Sequence, residues 1–290
     1  MKKIGWVLVM ASAVPLAVVW AGAAAPVIGA GSYGQELVNR LVHQHHNVAA
    51  LTIYLTPPGA HAVQAVAASD GKTGQSAPPA AAEALARARE YFVYRPGRLM
   101  AALPLADMSG KKAGVITLTL TGRNRRRLVH EAGAIRAYLT RNTSYAANLL
   151  QKALWDPRLP LNSYAQHLVD ETLSRHPDVL ILAIHAATPL NVDPEILGSN
   201  IGRIGKPADS DDMRVVRDGK TNLEINKTLD RYEVELPLKD VSGARIGALG
   251  VVFVLPPHAD LKAKHREAIH IRDALARRIP SAAALVRPMR

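Results

Sequence analysis

The sequence SYGQELV at residues 32–38 returns 131 residues later as SYAQHLV at residues 163–169. A second match pairs LPLADMSG at residues 103–110 with LPLKDVSG at residues 236–243, at a displacement of 133. Two matches in the same order and at nearly the same displacement indicate an internal duplication. The chain is therefore predicted to contain two copies of one structural unit.

Each copy shows the same succession of helix and strand patterns. Apolar residues at helical spacing predict an amphipathic helix at Tyr33–His45 and at Tyr164–Arg175. Branched residues bounded by prolines predict a strand at Ala49–Leu55 and at Val179–Ile184. After a glycine-containing loop, a variable helix and two strands joined by a turn are predicted at 80–90, 98–105 and 113–121 in the first copy and at 209–216, 232–238 and 246–255 in the second.

The turn between the last two strands has the pattern P-L-x-D-x-x-G in both copies. Aspartate and serine bond the local backbone, and glycine accepts a positive φ, so these residues suit a tight hairpin. The key positions are Pro104, Asp107, Gly110, Pro237, Asp240 and Gly243.

This order of elements and this turn resemble the Cache superfamily, also called PDC sensor domains, which are extracytoplasmic PAS-like modules. The resemblance covers nearly the whole chain after its leader, once per copy. It implies an α/β (α+β) fold in which each unit is a mainly antiparallel five-stranded sheet with helices. It also implies a ligand pocket between that sheet and the preceding loops and helices.

Two departures from the family pattern limit what the resemblance implies. Most double Cache domains lie between two membrane spans ahead of a signalling module, and this chain shows neither a second apolar span nor an effector module. The tyrosine, arginine and aspartate pattern of the amino-acid-binding branch is also absent. No ligand is therefore inferred from that branch.

The predicted domain organisation has five parts. These are a signal peptide at 1–25, a first Cache-like unit at 31–122, a connecting helix at 123–160, a second Cache-like unit at 161–257, and a C-terminal helix and tail at 258–290. The connecting helix is predicted from about Arg123 to Leu154, where it separates or braces the two units. The C-terminal amphipathic pattern runs from Ala259 to Ile279.

The first 25 residues have the three parts of a secretory signal peptide. Lys2 and Lys3 precede an apolar run from Ile4 to Trp20, and small residues lead to Pro26. Cleavage would place the protein in the periplasm or outside the cell. The alternative is an uncleaved anchor in the inner membrane with the rest of the chain facing out.

Composition excludes several classes of protein. The chain of 290 residues has a net charge of +12, contains no cysteine, and is only 4% aromatic. Disulfides, thiolate metal sites and a cysteine nucleophile are therefore impossible. No basic stretch is interleaved with aromatic residues, so nucleic acid is not an expected partner. The positive charge instead favours small or polymeric anions.

The predicted ligand-binding residues begin with a G-x-x-G loop that carries basic side chains in both copies, at 71–75 and 202–206. Arg203 and Lys206 can hold a carboxylate or phosphate beside the glycine amides. Alternatively, the glycines only shape a turn, and the cations pair with Asp209 and its acidic neighbours. Arg98 and Arg231 occupy matching strand positions, where they either clamp an anion or lie exposed at a sheet edge.

Aromatic and histidine side chains complete the candidate list. Tyr54, Tyr94, His185 and Tyr232 fall on elements that would line a PAS-like pocket, although each also suits a core position. His43, His45 and His46 suggest a metal site, but no further ligand is placed to complete it, so they are interpreted as helix-end residues. No metal, cofactor or catalytic set is predicted.

The preferred hypothesis is an exported, sensor-type protein that binds a small anionic metabolite and has no output domain of its own. It is not predicted to be an enzyme. Two alternatives stay open: a periplasmic interaction or scaffold protein with degenerate pockets, and an envelope hydrolase. A membrane sensor or envelope protein and a second copy of the chain are open as partners.

Overall fold

A computed structural model describes residues 26–228 and 230–289, so the predicted signal peptide lies outside the described residues. The first unit contains α1 (Tyr33–Gln44), β1 (Val48–Leu55), β2 (Gln64–Ala68), α2 (Pro79–Arg87), β3 (Tyr91–Arg95), β4 (Arg98–Ala106), β5 (Lys112–Thr121) and α3 (Arg125–Arg141). A 3-10 helix at Ala146–Leu150 follows. The second unit contains α4 (Tyr164–Arg175), β6 (Val179–Thr188), β7 (Asn191–Ser199), α5 (Ser210–Asp218), β8 (Asn222–Asn226), β9 (Arg231–Lys239), β10 (Arg245–Val254), α6 (Leu261–Ala276) and α7 (Ala282–Leu285).

Each unit has a five-stranded antiparallel sheet with the same strand order. The orders are β2-β1-β5-β4-β3 and β7-β6-β10-β9-β8, so the second strand lies at one edge and the third at the other. This topology confirms the predicted fold class of two PAS/Cache-like units. Strands β5 and β10 are central, with two strands on either side of each.

Four edge strands and the end of α3 differ from the sequence-based expectation. Strands β2 and β7 lie in the stretches interpreted as glycine-containing loops, and the apolar pattern assigns no element to the stretches of β3 and β8. Strands β3 and β8 have five residues each and no buried residue, so they lack an apolar pattern. The helix predicted to reach Leu154 ends at Arg141, where the Asn142 side chain caps it by donating to Tyr138 O.

Helix α3 is the counterpart of α6. Ala132, Ile135 and Leu139 are buried against the first sheet, and Ala268, Ile271 and Leu275, at a displacement of 136, are buried against the second. An ion pair is repeated as well: His45 lies 3.0 Å from Glu131, and His176 lies 3.4 Å from Glu267. Each copy therefore ends in its own helix.

The two faces of each sheet are covered differently. Helices α1 and α3 cover one face of the first sheet, and α4 and α6 cover the corresponding face of the second, which creates the two main apolar cores. The opposite faces are covered by the short helices α2 and α5. This second face is where the family resemblance places a pocket.

The repeated turn has the hairpin role predicted for it. Asp107 Oδ1 accepts hydrogen bonds from the backbone N–H groups of Ser109 and Lys111 at 2.9 and 3.0 Å. Asp240 Oδ1 does the same for Ser242 and Ala244 at 2.9 and 3.2 Å. Bonding to Ser242 lowers the pKa of Asp240.

The first unit packs on one end of the second unit's α5-side sheet face. Met108 from the β4–β5 turn packs against the buried cluster of Leu180, Ile181, Ile201 and Val252. The Asn200 amide donates to Arg141 O at 2.9 Å and to Leu180 O at 2.8 Å, so it bridges the units. Across residues 26–228 and 230–289, no helix has the length and apolarity to cross a bilayer.

Strand β10 approaches β6 closely at Gly247, and this approach can be tested by substitution. A Cβ at Gly247 would lie 1.8 Å from His185 O, whereas a Cβ at Gly250 would meet nothing nearer than 3.9 Å. We expect Gly247→Ala to lower the free energy of unfolding by about 3 kcal/mol, because the strands must separate. Gly250→Ala should change it by less than about 1 kcal/mol. Urea unfolding of both variants tests this, and equal effects would contradict the packing described.

Candidate functional site

Polar side chains gather on the α5-side face of the second sheet. Tyr232 and Val234 point into the core beneath α4 and α6, so the alternating residues Glu233 and Glu235 point to the α5 side. In the strand register, Glu235 lies opposite Gly250 of β10 and Asn222 of β8. The Asn222 amide donates to Glu235 Oε2 at 3.0 Å.

Helix α5 adds a carboxylate from above the sheet. Asp209 caps the helix, and its side chain accepts from the backbone N–H groups of Asp211 and Asp212. In return, Asp212 Oδ2 accepts from the backbone N–H of Asp209 at 3.1 Å, which completes a capping box. The other oxygen, Oδ1, lies 2.7 Å from His185 Nδ1. The cap therefore fixes Asp212 over the sheet beside His185.

His185 is buried and incompletely satisfied. The residue is 7% exposed, and its Nδ1 is close enough to Asp212 for an ion pair, although without the angles of a hydrogen bond. Its Nε2 has no hydrogen-bond partner among the described residues. Burial opposes ionisation of Asp212, but His185, the Asp209 amide and Lys206 together outweigh it, so the pKa of Asp212 is lowered. A polar ring nitrogen in this state is a candidate contact for a ligand.

Burial and neighbouring carboxylates disfavour the ionised forms of Glu233 and Glu235. Burial raises the pKa of Glu233 to about 8, and the neighbouring Glu235 adds to the rise. Burial, with Asp212 as the next cause, raises the pKa of Glu235 to about 7. Glu224 lies directly opposite Glu233 on β8, and burial raises its pKa too. Like charges opposite one another destabilise a sheet, so ionising both Glu224 and Glu233 costs stability.

The first copy has apolar residues at the same positions. The 131-residue register places Tyr54 where the second copy has His185, and Ala81 where it has Asp212. The 133-residue register places Met100 and Ala102 where it has Glu233 and Glu235. Ala81 and Ala102 are buried together there, with Tyr54 packed against them. The fold therefore does not require charged residues at this place.

The predicted basic ligand contacts lie at the boundary between the units. Arg203 donates to Gln151 Oε1 at 2.8 Å, and Arg231 donates to Ser144 O. Burial lowers the pKa of both guanidinium groups. These two side chains hold the first unit to the second, a role that sequence reasoning did not assign to them.

The G-x-x-G loop also serves this boundary. A Cβ at Gly202 would lie 2.5 Å from the Tyr33 ring, and a Cβ at Gly205 would lie 2.6 Å from Asp156 Cβ. Both glycines have positive φ, so close packing and backbone conformation both select glycine. Lys206 lies 3.6 Å from Asp209, which fits the alternative reading in which the loop cation pairs with the acidic residues after it.

The other predicted residues are dispersed. Tyr232 is buried in the main core of the second unit, on the opposite face from the acidic cluster. Arg98 is exposed at the start of β4, and Tyr94 OH donates to Arg123 O at 3.0 Å. Tyr54 lies on the α2 side of the first sheet. Of the predicted residues, His185 contributes directly to the cluster and Asp209 caps the helix above it.

Glu233, Glu235 and Asp212 were missed by sequence reasoning. A signal was present in β9, where charged residues at 231, 233 and 235 alternate with the core residues Tyr232, Val234 and Leu236. The corresponding strand β4 has Met100 and Ala102 instead. Strand β9 thus has charged residues at positions where its duplicate, β4, has apolar ones. This difference between the copies indicates where the site lies.

A separate open groove of about 660 Å³ lies between the end of α1 and the start of α3. It contains His45 and His46 together with Arg123 and Arg127, but Glu131 already pairs with His45. Within the part of the chain that the structure describes, no three His, Asp or Glu side chains form a group that could hold a metal ion. The charged cluster under α5 is therefore the better candidate site.

No family profile and no curated protein matches this chain. A solved structure of PelD from Pseudomonas aeruginosa PAO1 is similar at 16% identity, 86% coverage of this chain, 78% of that chain and a TM-score of 0.30. The repressor BlcR of Agobacterium tumefaciens matches at 10% identity, 57% and 75% coverage and a TM-score of 0.27.

A third solved structure is the inducer-binding domain of PobR from Acinetobacter, a double mutant in complex with 3-hydroxybenzoic acid. It matches at 10% identity, 86% coverage of this chain, 95% of that chain and a TM-score of 0.19. A further PelD structure contains c-di-GMP. Identities and TM-scores this low do not transfer a ligand to this chain.

The raised pKa of Glu233 makes stability depend on pH. The folded state holds this proton more tightly than the unfolded state, so the stabilisation is full below the ordinary glutamate pKa and is lost as pH rises toward 8. Glu233→Gln cannot ionise, and we expect it to be more stable than the natural protein by about 1–3 kcal/mol at pH 8.5. The gain should shrink at pH 5.5.

Urea unfolding at the two pH values checks this expectation. Glu83→Gln removes an exposed carboxylate from α2 and serves as the control, for which no comparable pH-dependent gain is expected. A Glu233→Gln effect of the same size at both pH values would show that Glu233 is already freely ionised at pH 5.5.

Proposed function

We propose that this chain is an exported, sensor-type protein that binds a small molecule in its second unit, under α5. The observation that carries the proposal is the contrast between the copies. Where the first copy packs Tyr54 and Ala81, the second has His185 and Asp212, and one imidazole nitrogen of His185 has no hydrogen-bond partner in the described part of the chain. Buried groups of this kind cost stability, and binding sites are where such costs are commonly found.

The anionic ligand expected from the sequence is not favoured at this site. The net charge of the chain is positive. After burial, however, the carboxylates Glu235 and Glu224 have the largest influence on the pKa of Glu233. An anion here would meet like charges, and Arg203 and Arg231 are already engaged at the unit boundary. A small-molecule ligand is retained in the proposal, and its charge is addressed below.

Binding without catalysis is proposed, and an acid–base enzyme is the second candidate. The Asp212 and His185 pair favours the second candidate, because an oriented imidazole near carboxyls of raised pKa can transfer protons. The two are separated by incubating the protein with any ligand it binds and recording the proton NMR spectrum of that compound. An unchanged compound supports binding alone.

A thermal-shift screen tests the binding proposal. Amino acids, organic acids, amines, sugars and nucleotides are added to the natural protein, to His185→Leu and to Tyr54→Leu, which alters the matching position of the first copy. A ligand at a hundred times its dissociation constant adds about 2.7 kcal/mol of stability. We expect the natural protein and Tyr54→Leu to be stabilised by the same compound and His185→Leu to lose the effect.

Two results of the screen would count against the proposed site. Equal loss in both variants would place the binding elsewhere, and no stabilisation by any compound would favour the interaction-protein alternative.

Export is tested on the N-terminus of the protein recovered from cells. The cationic start, apolar run and small residues before Pro26 predict cleavage near Ala23 or Ala25. Mass spectrometry of the periplasmic or secreted fraction should show a chain that begins within a few residues of Pro26. A chain that retains Met1 and fractionates with membranes would support the uncleaved anchor instead.

A further inference from the structure

The groups that face the space under α5 are hydrogen-bond acceptors. His185 Nδ1 lies 2.7 Å from Asp212 Oδ1, and its Nε2 has no hydrogen-bond partner among the described residues. In a neutral imidazole whose proton is on Nδ1, Nε2 is an acceptor. Glu233 and Glu235, when ionised, only accept. The nearby donor, the Asn222 amide, is already directed at Glu235. A ligand that satisfies this set must supply several donors.

The carboxylates under α5, when ionised, all carry negative charge. Carboxylates approach from three directions: Glu233 and Glu235 from β9, Asp212 from α5, and Glu224 from β8. A cation placed among them would remove the mutual repulsion that now opposes their ionisation.

Three cations act on this group. Lys206 lies 3.6 Å from Asp209, and its charge also lowers the pKa of Asp212. Arg231 donates to Ser144 O, and Arg203 to Gln151, both at the unit boundary. Their fields reach Glu233, yet the pKa of Glu233 is still raised to about 8. These cations therefore do not offset the cost of ionising Glu233.

The sheet beneath the cluster is built from small residues. Glu235 lies opposite Gly250, and Gly250 lies opposite Ala183 of β6. A Cβ added at Gly250 would have Ala183 Cβ and Glu233 Oε1 as its nearest neighbours, both at 3.9 Å. A methyl-sized group at Gly250 would therefore be in ordinary van der Waals contact with the Glu233 carboxylate, without a clash.

From these observations we propose that the second unit binds a small organic cation through an ammonium group, held by Glu233, Glu235 and His185 Nε2. This rests on the proposed function. An ammonium supplies three N–H donors and one positive charge, which matches the acceptors and the negative charge of the site. The first copy, with Met100, Ala102 and Tyr54 at these positions, does not bind it.

Calorimetric titration of the natural protein tests the proposal. The probes are the chloride salts of methylammonium, butylammonium and 1,4-diaminobutane, and the matched anions are acetate, butyrate and succinate as sodium salts. We expect at least one ammonium compound to bind and the matched anions not to bind. Affinity should rise at least about tenfold from pH 6 to pH 8.5, because the amine stays charged while the glutamates lose their protons.

Variants link the binding to the site. Glu233→Gln and Glu235→Gln keep the shape of the side chains, and each should weaken binding at least about 30-fold. Glu83→Gln, with the same change of charge on α2, should leave the affinity unchanged. Circular dichroism of each variant checks that the fold is retained, so a loss of binding reports on the site.

Three results would overturn the inference, and they differ in what they leave standing. If the protein binds the anions or a neutral compound, and His185→Leu abolishes that binding, the ammonium ligand is refuted but the proposed function stands. Ammonium binding that Glu233→Gln and Glu235→Gln leave intact would place the cation elsewhere. No binding by any of these probes or by the wider screen would overturn both the inference and the proposed function.

Discussion

Each five-stranded sheet has two faces to cover, and the chain provides two long helices for one face but a single nine-residue helix for the other. In the first unit this second face is closed by small and aromatic side chains, including Ala81, Ala102 and Tyr54. In the second unit the first unit covers one end through Met108, and the remainder carries the charged cluster. The candidate site is therefore possible because the nine-residue helix α5 is too short to cover the whole of that face.

The two copies have the same main core and differ on the other face of the sheet. Their main cores are equivalent, down to the paired helices α3 and α6 and the ion pairs at His45 and His176. Their α2-side and α5-side faces have diverged, one toward apolar packing and the other toward carboxylates whose pKa values are raised by burial. Because the packed copy shows that the fold tolerates apolar residues there, the charged copy carries a stability cost that binding can offset.

Much of the fold could be predicted from the sequence because the duplication and the apolar periodicity are local patterns. The edge strands could not, because β3 and β8 are short and half exposed. The site was predicted less well. The residue types of Arg203 and Arg231 predict anion contacts, but both side chains bond to residues at the unit boundary. Which side of a sheet faces a neighbouring unit depends on tertiary packing. The alternation of Glu233 and Glu235 with core residues was visible in the sequence, and comparing the copies would have revealed it.

The central claim is that the charged cluster serves binding and is not needed for folding. The most direct test gives the second unit the first unit's residues at four positions: His185→Tyr, Asp212→Ala, Glu233→Met and Glu235→Ala in one protein. Urea unfolding at pH 8 should show a free energy of unfolding equal to or higher than that of the natural protein. A free energy of unfolding several kcal/mol lower than that of the natural protein would contradict the account, because the cluster would then be needed for folding of the second unit.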